Sequence, residues 1–413
     1  MEEDRDVWVE CLGCGGRFDV TQPHYRCPKC GDLLEIDRRL DRMDYGGLRK
    51  AFDARPLGVW RYRELLSPAG SRRLVTMAEG GTPLLPAKRL AEKVGIRRLW
   101  VKCEGVNPTG SFKDRGMAVG VAAALELGAR RVVCASTGNT SASLAAYAAL
   151  AGLPCLIVIP EGKVALGKLA QAMVHGATVV GIQGSFDDAM ALVLKAADQL
   201  GLYLLNSMNP FRLEGQKTGG YEVFDQLGGR SPDWVVLPMG NGNNIAAYWK
   251  AFTDLRGLGA LRDLPRMAGV QAQGASPIAS AVAKGLRTVE PVPNPETVAT
   301  AIRIGRPANW RKTLRAIYDS RGTALAVPDD EIIEAQRAMA SLEGLFVEPA
   351  SAASLAGLRH LVEGGTVDRG DEVVLVATGH GLKDPEGALR ATGKPRLIPP
   401  DVEALRAVVE VGA

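Results

Sequence analysis

The sequence predicts an α/β protein built on parallel sheets with helices on both faces, preceded by a small cysteine-rich ribbon. Three observations carry this reading. Short β-branched apolar runs alternate with helix-length segments through the body of the chain. Small polar and Gly-rich clusters recur directly after those runs, where a strand would turn into a helix. Two Cys-x-x-Cys pairs stand near the N-terminus.

The cysteines come first in the chain. CLGCGGRFDVTQPHYRCPKCG places Cys11, Cys14, Cys27 and Cys30 in two knuckles, each closed by Gly, which permits the tight turn that aims two thiolates at one ion. Four sulfurs so arranged suit tetrahedral zinc and need no large core around them. Two disulfides or a redox pair are the competing readings; the repeated knuckle and a cytosolic setting weigh against both. The ribbon is expected over residues 1–37, followed by a polar, Arg-rich connector over 38–78. Its mixed charges and few aromatics do not point to nucleic acid. If it is structural, loss of Cys27 is expected to release zinc and lower stability while leaving the active site chemically competent.

The catalytic body is expected over 79–413; the whole chain of 413 residues is long enough for a large buried core, and its 46% hydrophobic and 23% charged residues are ordinary for a soluble globular protein. A net charge of +4 over 413 residues, with acidic and basic residues interleaved, excludes neither partner class alone but argues for no nucleic acid and no membrane surface. MEEDRDVWVE lacks the basic and apolar regions of a signal peptide. The most apolar stretch, ending at Pro160, is split by Gly152 and Pro154 into an Ala-rich helix and a short strand rather than a membrane span. A cytoplasmic protein is expected. Cys103, Cys134 and Cys155 lie in apolar surroundings and read as small core residues.

In order, RRVVCAS reads as a strand, TSASLAAYAALAG as a helix, CLIVIP as a strand, LGKLAQAMVHG as a helix and TVVGIQG as a strand. DDAMALVLKAADQLG, LYLLNS, the segment around GYEVFDQLGG, and DWVVLPMG continue the rhythm. Such alternation indicates parallel sheets, which bind ligands at the carboxyl ends of their strands.

Chemistry-bearing residues lie at those ends. PMGNGNN (238–244) joins a strand to a helix and offers backbone N–H groups at a helix N-terminus, an anion site; a plain tight turn is the alternative. It is neither a P-loop nor the dinucleotide fingerprint. STGNTS (136–141) groups hydroxyl and amide side chains that either hold an anion or cap a helix. ATGHGLKDP (377–385) brings Thr378 and His380 to a strand end, His380 reading equally as a structural histidine in a Gly turn. In NPTGSFKDRG (107–116), Ser111 and Asp114 read as a capping box. The helix then starts beside Lys113, and its positive end favours the neutral, nucleophilic amine. A lysine amine, a phosphate-binding turn and polar strand ends together suggest a Schiff base with a phosphorylated aldehyde, pyridoxal phosphate.

NPTGSFKDRG resembles the lysine motif of fold-type II pyridoxal-phosphate enzymes, and within them that of the threonine synthase family. The likeness extends through EGGTPL, ASTGNTSASLAAYAA, GKLAQAM, NSMNPFRLEGQKT, TVATAIRIGRPANW, EPASAASLAGL and TGHGLKDP, from about residue 79 to about residue 390. The resemblance implies two open parallel-sheet subdomains, the smaller and mobile one over roughly 115–225, and a homodimer. It implies that Lys113 binds the cofactor covalently, Asn139 bonds its ring oxygen, Thr378 meets its pyridine nitrogen, and Gly240, Asn241, Gly242, Asn243 and Asn244 cradle its phosphate. The family places Gly where this chain has Asn243, so Asn243 is expected in a left-handed conformation. The resemblance further implies a substrate, O-phospho-L-homoserine, whose phosphate is held by Ser136, Thr140, Asn206, Ser207 and Arg212. For Arg212 the residue-level reasoning agrees, since its guanidinium is a bidentate fork for phosphate, although an Arg at a helix start is often only a surface residue. The implied reaction is β,γ-elimination of phosphate followed by addition of water at Cβ. A cysteate synthase, a threonine or serine dehydratase, and a zinc-ribbon binding protein carrying a dead fold of this kind are the alternatives.

Overall fold

A computed structural model describes residues 6–66, 74–161, 166–385, 387, 395 and 397–411. Its strands form three sheets. The ribbon is a small antiparallel sheet in which Val7–Cys11 lies between Arg17–Phe18 and Leu34–Arg38, so it runs one residue past the expected boundary. The larger sheet runs in the order Thr323–Val327, Arg266–Ala272, Trp234–Pro238, Glu372–Ala377, Arg98–Cys103 and Leu84–Pro86, parallel except for the last strand. The smaller, wholly parallel sheet runs Thr178–Ile182, Cys155–Pro160, Val132–Ala135 and Tyr203–Leu204. Strands such as Trp234–Pro238 and Glu372–Ala377 are buried along their full length, which is why they read as continuous apolar runs rather than alternating ones.

The expected alternation is therefore present, with two adjustments. LYLLNS contributes only the two-residue strand Tyr203–Leu204, because the chain then turns and Asn209 Nδ2 donates to the Leu204 carbonyl. GYEVFDQLGG lies within one long helix, Pro210–Gln226. Asn209 starts this helix by accepting from the Phe211 N–H, with Pro210 at its first position.

Pro210–Gln226 positions the site. It is buried on every face from Pro210 to Phe224, a condition its glycines make possible. A Cβ on Gly215 would stand 2.0 Å from the Arg115 carbonyl oxygen, so only glycine lets this helix press against Lys113–Glu126. On its other side Gly219 and Gly220 admit Tyr248 and Ala251 of Asn243–Gly257. The close crossings bring together the starts of three helices, which carry Lys113, Arg212 and Asn243. Beneath them Arg115, Glu104, Glu222 and Lys102 form a buried, mutually paired ion cluster. No described helix is long and apolar enough to cross a membrane.

Candidate active site

Lys113 opens the helix Lys113–Glu126, but not by the expected capping box. Phe112 occupies the cap position without a side-chain cap bond, and Ser111 Oγ is buried with no hydrogen-bond partner. Ser111 is instead drawn into a β-bridge with Gly379, and the Phe112 N–H donates to the Thr378 carbonyl. The Asp114 carboxylate reaches further back than predicted. It accepts from the Thr109 N–H (2.7 Å), Thr109 Oγ1 (2.5 Å) and Ser143 Oγ (2.6 Å), fixing the loop that presents the lysine.

The Lys113 amine lies 3.8 Å over the Phe112 ring. Burial, with the Arg212 guanidinium nearby, pushes its pKa down from 10.5 to about 7, opposed by Glu348. The expected direction is met, while burial rather than the helix terminus is the main cause. An amine at 7 is about half neutral at neutral pH, against well under 1% for an ordinary lysine.

Two strand ends of the larger sheet face it. After Glu372–Ala377, Thr378 Oγ1 lies 2.9 Å from Ser351 Oγ and donates to Glu348 Oε1 (3.3 Å). Asn139, first residue of Asn139–Ala151, donates from Nδ2 to Glu348 Oε2 (3.0 Å). Thus Glu348 joins Asn139 and Thr378, and burial holds its carboxyl above the usual range. Glu348 and Ser351 carried no assigned role in the sequence reading, although EPASAAS contains both. His380 takes its structural alternative: Nδ1 accepts from the Leu382 N–H and the ring packs edge-on against Phe346.

After Trp234–Pro238 the Gly240–Asn244 turn enters the helix Asn243–Gly257. Asn243 does not adopt the left-handed conformation expected of it. Gly242 does, with φ +81°, and a Cβ there would fall 1.8 Å from Thr313 Oγ1. Asn243 is already helical, so its missing glycine costs no backbone strain; its Nδ2 donates to Gln216 Oε1 (2.8 Å). Asn243 Oδ1 and Asn244 Nδ2 are buried without partners. A lysine amine held near neutrality and the orphaned Asn244 Nδ2 donor at the start of a helix fit pyridoxal phosphate.

Arg212, the third residue of its helix, is buried, and among the described residues it forms no ion pair. Nη1 donates to the Leu205 carbonyl (3.2 Å), and Nε has no partner. Burial pulls its pKa down from 12.5 to about 10. Ser136 to Thr140 lie half-buried beyond the Val132–Ala135 strand; Ser136 Oγ accepts from the Gly138 N–H, and a Cβ on Gly138 would meet open space. Asn206 is partly committed elsewhere: its carboxamide both accepts from and donates to the Ala135 backbone, leaving a single N–H. Asn309, overlooked in the sequence, ties the two halves: its N–H donates to the Asn241 carbonyl and its Nδ2 to the Ser207 carbonyl.

In the ribbon, the Cys11, Cys14, Cys27 and Cys30 sulfurs lie within 4.8 Å of one another. The closest contacts, 3.4 Å for Cys11 to Cys30 and 3.7 Å for Cys14 to Cys27, exceed an S–S bond of about 2.05 Å. They approach the edge of about 3.8 Å that a tetrahedron with Zn–S bonds of about 2.3 Å requires. Gly15 and Gly31 donate back to the Cys11 and Cys27 carbonyls, so the two knuckles repeat the same turn.

With this geometry in hand, comparison with known proteins assigns the class. The chain belongs to the pyridoxal-phosphate dependent enzyme family, whose model matches residues 75–379. It is 52% identical to the threonine synthase of Methanocaldococcus jannaschii, over 97% of this chain and 98% of that one. It is 51% identical to the threonine synthase of Methanosarcina acetivorans, with 97% and 98% covered. Processed threonine deaminase isoform 2 from Solanum lycopersicum superposes with a TM-score of 0.66 at 21% identity, over 82% of this chain and 95% of that chain, a likeness of fold alone.

Proposed function

We propose that the protein is a threonine synthase, converting O-phospho-L-homoserine and water into L-threonine and inorganic phosphate, with a structural zinc ion on Cys11, Cys14, Cys27 and Cys30. The observation that carries the substrate class is Arg212, a buried guanidinium without a carboxylate, close enough to a lysine amine to depress its pKa. A charge so placed is completed by an anion that arrives with the substrate. A dehydratase of unphosphorylated amino acids would leave it uncompensated. The 52% identity over nearly the whole chain supports the same activity.

Pyridoxal phosphate, when bound, supplies the electron sink for carbanion chemistry at the substrate's Cα. Lys113 would hold it covalently, and the Lys113 amine would move protons at the substrate's Cα and then Cβ. Asn139, held by Glu348, would meet the cofactor's ring oxygen, the N–H groups of Gly240–Asn244 would hold its phosphate, and the Thr378 hydroxyl, beside Ser351, would meet its ring nitrogen. A neutral hydroxyl there, rather than a carboxylate, would leave that nitrogen largely unprotonated. Ser136, Thr140, Ser207 and Arg212 hold the substrate phosphate, with the remaining Asn206 N–H beside them. As phosphate departs, Arg212 meets the charge that develops on it.

The test incubates cofactor-loaded protein with O-phospho-L-homoserine and measures phosphate and threonine together. Equal release of both, abolished in Lys113→Ala, is expected. Phosphate without threonine would mean that elimination proceeds without controlled water addition. Neither product, with cofactor bound, would overturn the reading in favour of a phosphoserine substrate.

A further inference from the structure

The ribbon was expected to be separable from the catalytic body, yet its last strand is sunk into it. Leu34, Ile36 and Arg38 are buried along one side of Leu34–Arg38. The Leu34 carbonyl accepts from Lys312 Nζ (2.7 Å), and Glu35 pairs with Arg315 (2.5 Å) and Lys250 (3.5 Å). Arg38 pairs with Glu214, which also meets Lys217 (3.0 Å); Lys217 in turn meets Asp254 (2.8 Å).

Other ribbon contacts, together with Arg38–Glu214, converge on one stretch of chain. The Leu204 N–H donates to the Tyr25 hydroxyl (2.9 Å), and Tyr25 packs edge-on against Tyr203. Leu33 packs in one cluster with Leu204 and Met208. Arg38 then grips Glu214. Three ribbon side chains therefore bracket residues 204–214, the segment that carries Asn206, Ser207 and Arg212. On the helix, Arg212 and Glu214 project about 200° apart, so the Arg38 ion pair resists rotation that would swing Arg212 out of the cleft.

We propose that the ribbon is the outer wall of the substrate-phosphate site, with Arg38 and Tyr25 as positioning residues that act on Arg212 and Ser207 through residues 204–214. This rests on the reading of Arg212 as the phosphate ligand. The buried charges are not there for stability alone, since a desolvated ion pair contributes little net stabilisation over an apolar pair of the same size. They fix a register.

The experiment compares the holoenzyme with Tyr25→Phe, Arg38→Lys and the double variant Arg38→Met/Glu214→Met, which leaves no unpaired charge from the Arg38–Glu214 pair. It reads KM for O-phospho-L-homoserine, the Ki of inorganic phosphate as a competitive probe, kcat, and the absorbance of bound cofactor. KM and Ki should rise together by about tenfold in the double variant, with kcat within about twofold and the cofactor spectrum unchanged. Arg38→Lys should recover part of the loss. A folded double variant or a Tyr25→Phe enzyme with parental KM and Ki would overturn the proposal; should the double variant fail to fold, Tyr25→Phe decides. Arg212→Met separates the two readings. If it too keeps the parental KM, the assignment of Arg212 fails; if it raises KM while the ribbon variants do not, only the positioning role fails.

Discussion

Replacing Arg212 by Met is expected to make the protein more stable and a much poorer binder of phosphate. The guanidinium is buried, unpaired, and shifted from 12.5 to about 10, a charging penalty on the order of 3 kcal/mol. Met removes that penalty and fills much of the space with an adaptable apolar chain. It forfeits the bond to the Leu205 carbonyl, worth about 1.5 kcal/mol for a charged donor. A net gain of about 1.5 kcal/mol follows in phosphate-free buffer. Phosphate should reverse the order. At a hundred times its dissociation constant it stabilises the parent by about 2.7 kcal/mol, and the variant hardly at all. The KM of the variant should rise about 100-fold, the cost of removing one partner of a buried charge pair. Thermal midpoints of both holoenzymes, measured with and without inorganic phosphate, read the crossing directly. A variant that melts below the parent without phosphate, or that keeps the parental response to phosphate, would refute the reasoning.

The depressed Lys113 gives a pH signature. Apoenzyme should capture pyridoxal phosphate with a rate that rises through about pH 7, because the ammonium form below that value is unreactive and the neutral amine above it attacks; a stopped-flow midpoint near the ordinary 10.5 would contradict the burial argument. In Gly242→Ala the new Cβ meets Thr313 Oγ1 at 1.8 Å in a backbone with φ +81°. A strain of about 1–2 kcal/mol from the left-handed conformation, with the displaced Thr313 added, should weaken cofactor binding by tenfold or more, measured by titration of the apoenzyme, and parental affinity would dismiss the cradle. Cys27→Ser should lose bound zinc by elemental analysis and raise KM for the phosphorylated substrate, since the knuckle it closes leads into Leu34–Arg38; full zinc content would point to another metal site.

Much of this was legible in the sequence because local chemistry carried it. Two Cys-x-x-Cys knuckles, a strand followed by Gly-Asn-Gly, and a lysine between a Gly turn and an apolar helix each announce a function within a few residues. The same locality misled at Ser111 and Asp114. Their spacing matches a capping box, but a bridge to Gly379, far away in the chain, claims Ser111. Asn243 was read against a family pattern when Gly242, its neighbour, takes the left-handed turn. Glu348, Ser351 and Asn309 carry no local signal, because each acts through partners more than twenty residues away, which no spacing rule encodes.

By itself the sequence determined the strand–helix alternation of the central stretch, the parallel sheets, the paired cysteine knuckles and the candidate lysine, since each depends on periodicity or on neighbours along the chain. The tertiary structure alone decided what surrounds them. Whether Arg212 is a surface residue or a buried, unpaired cation depends on Gly116, Gly120 and Gly215 letting two helices touch. Whether the ribbon is an appendage or a wall depends on Arg38 meeting Glu214 across most of the chain. Burial and long-range pairing set these charges' energies, and both exist only once the chain has closed on itself.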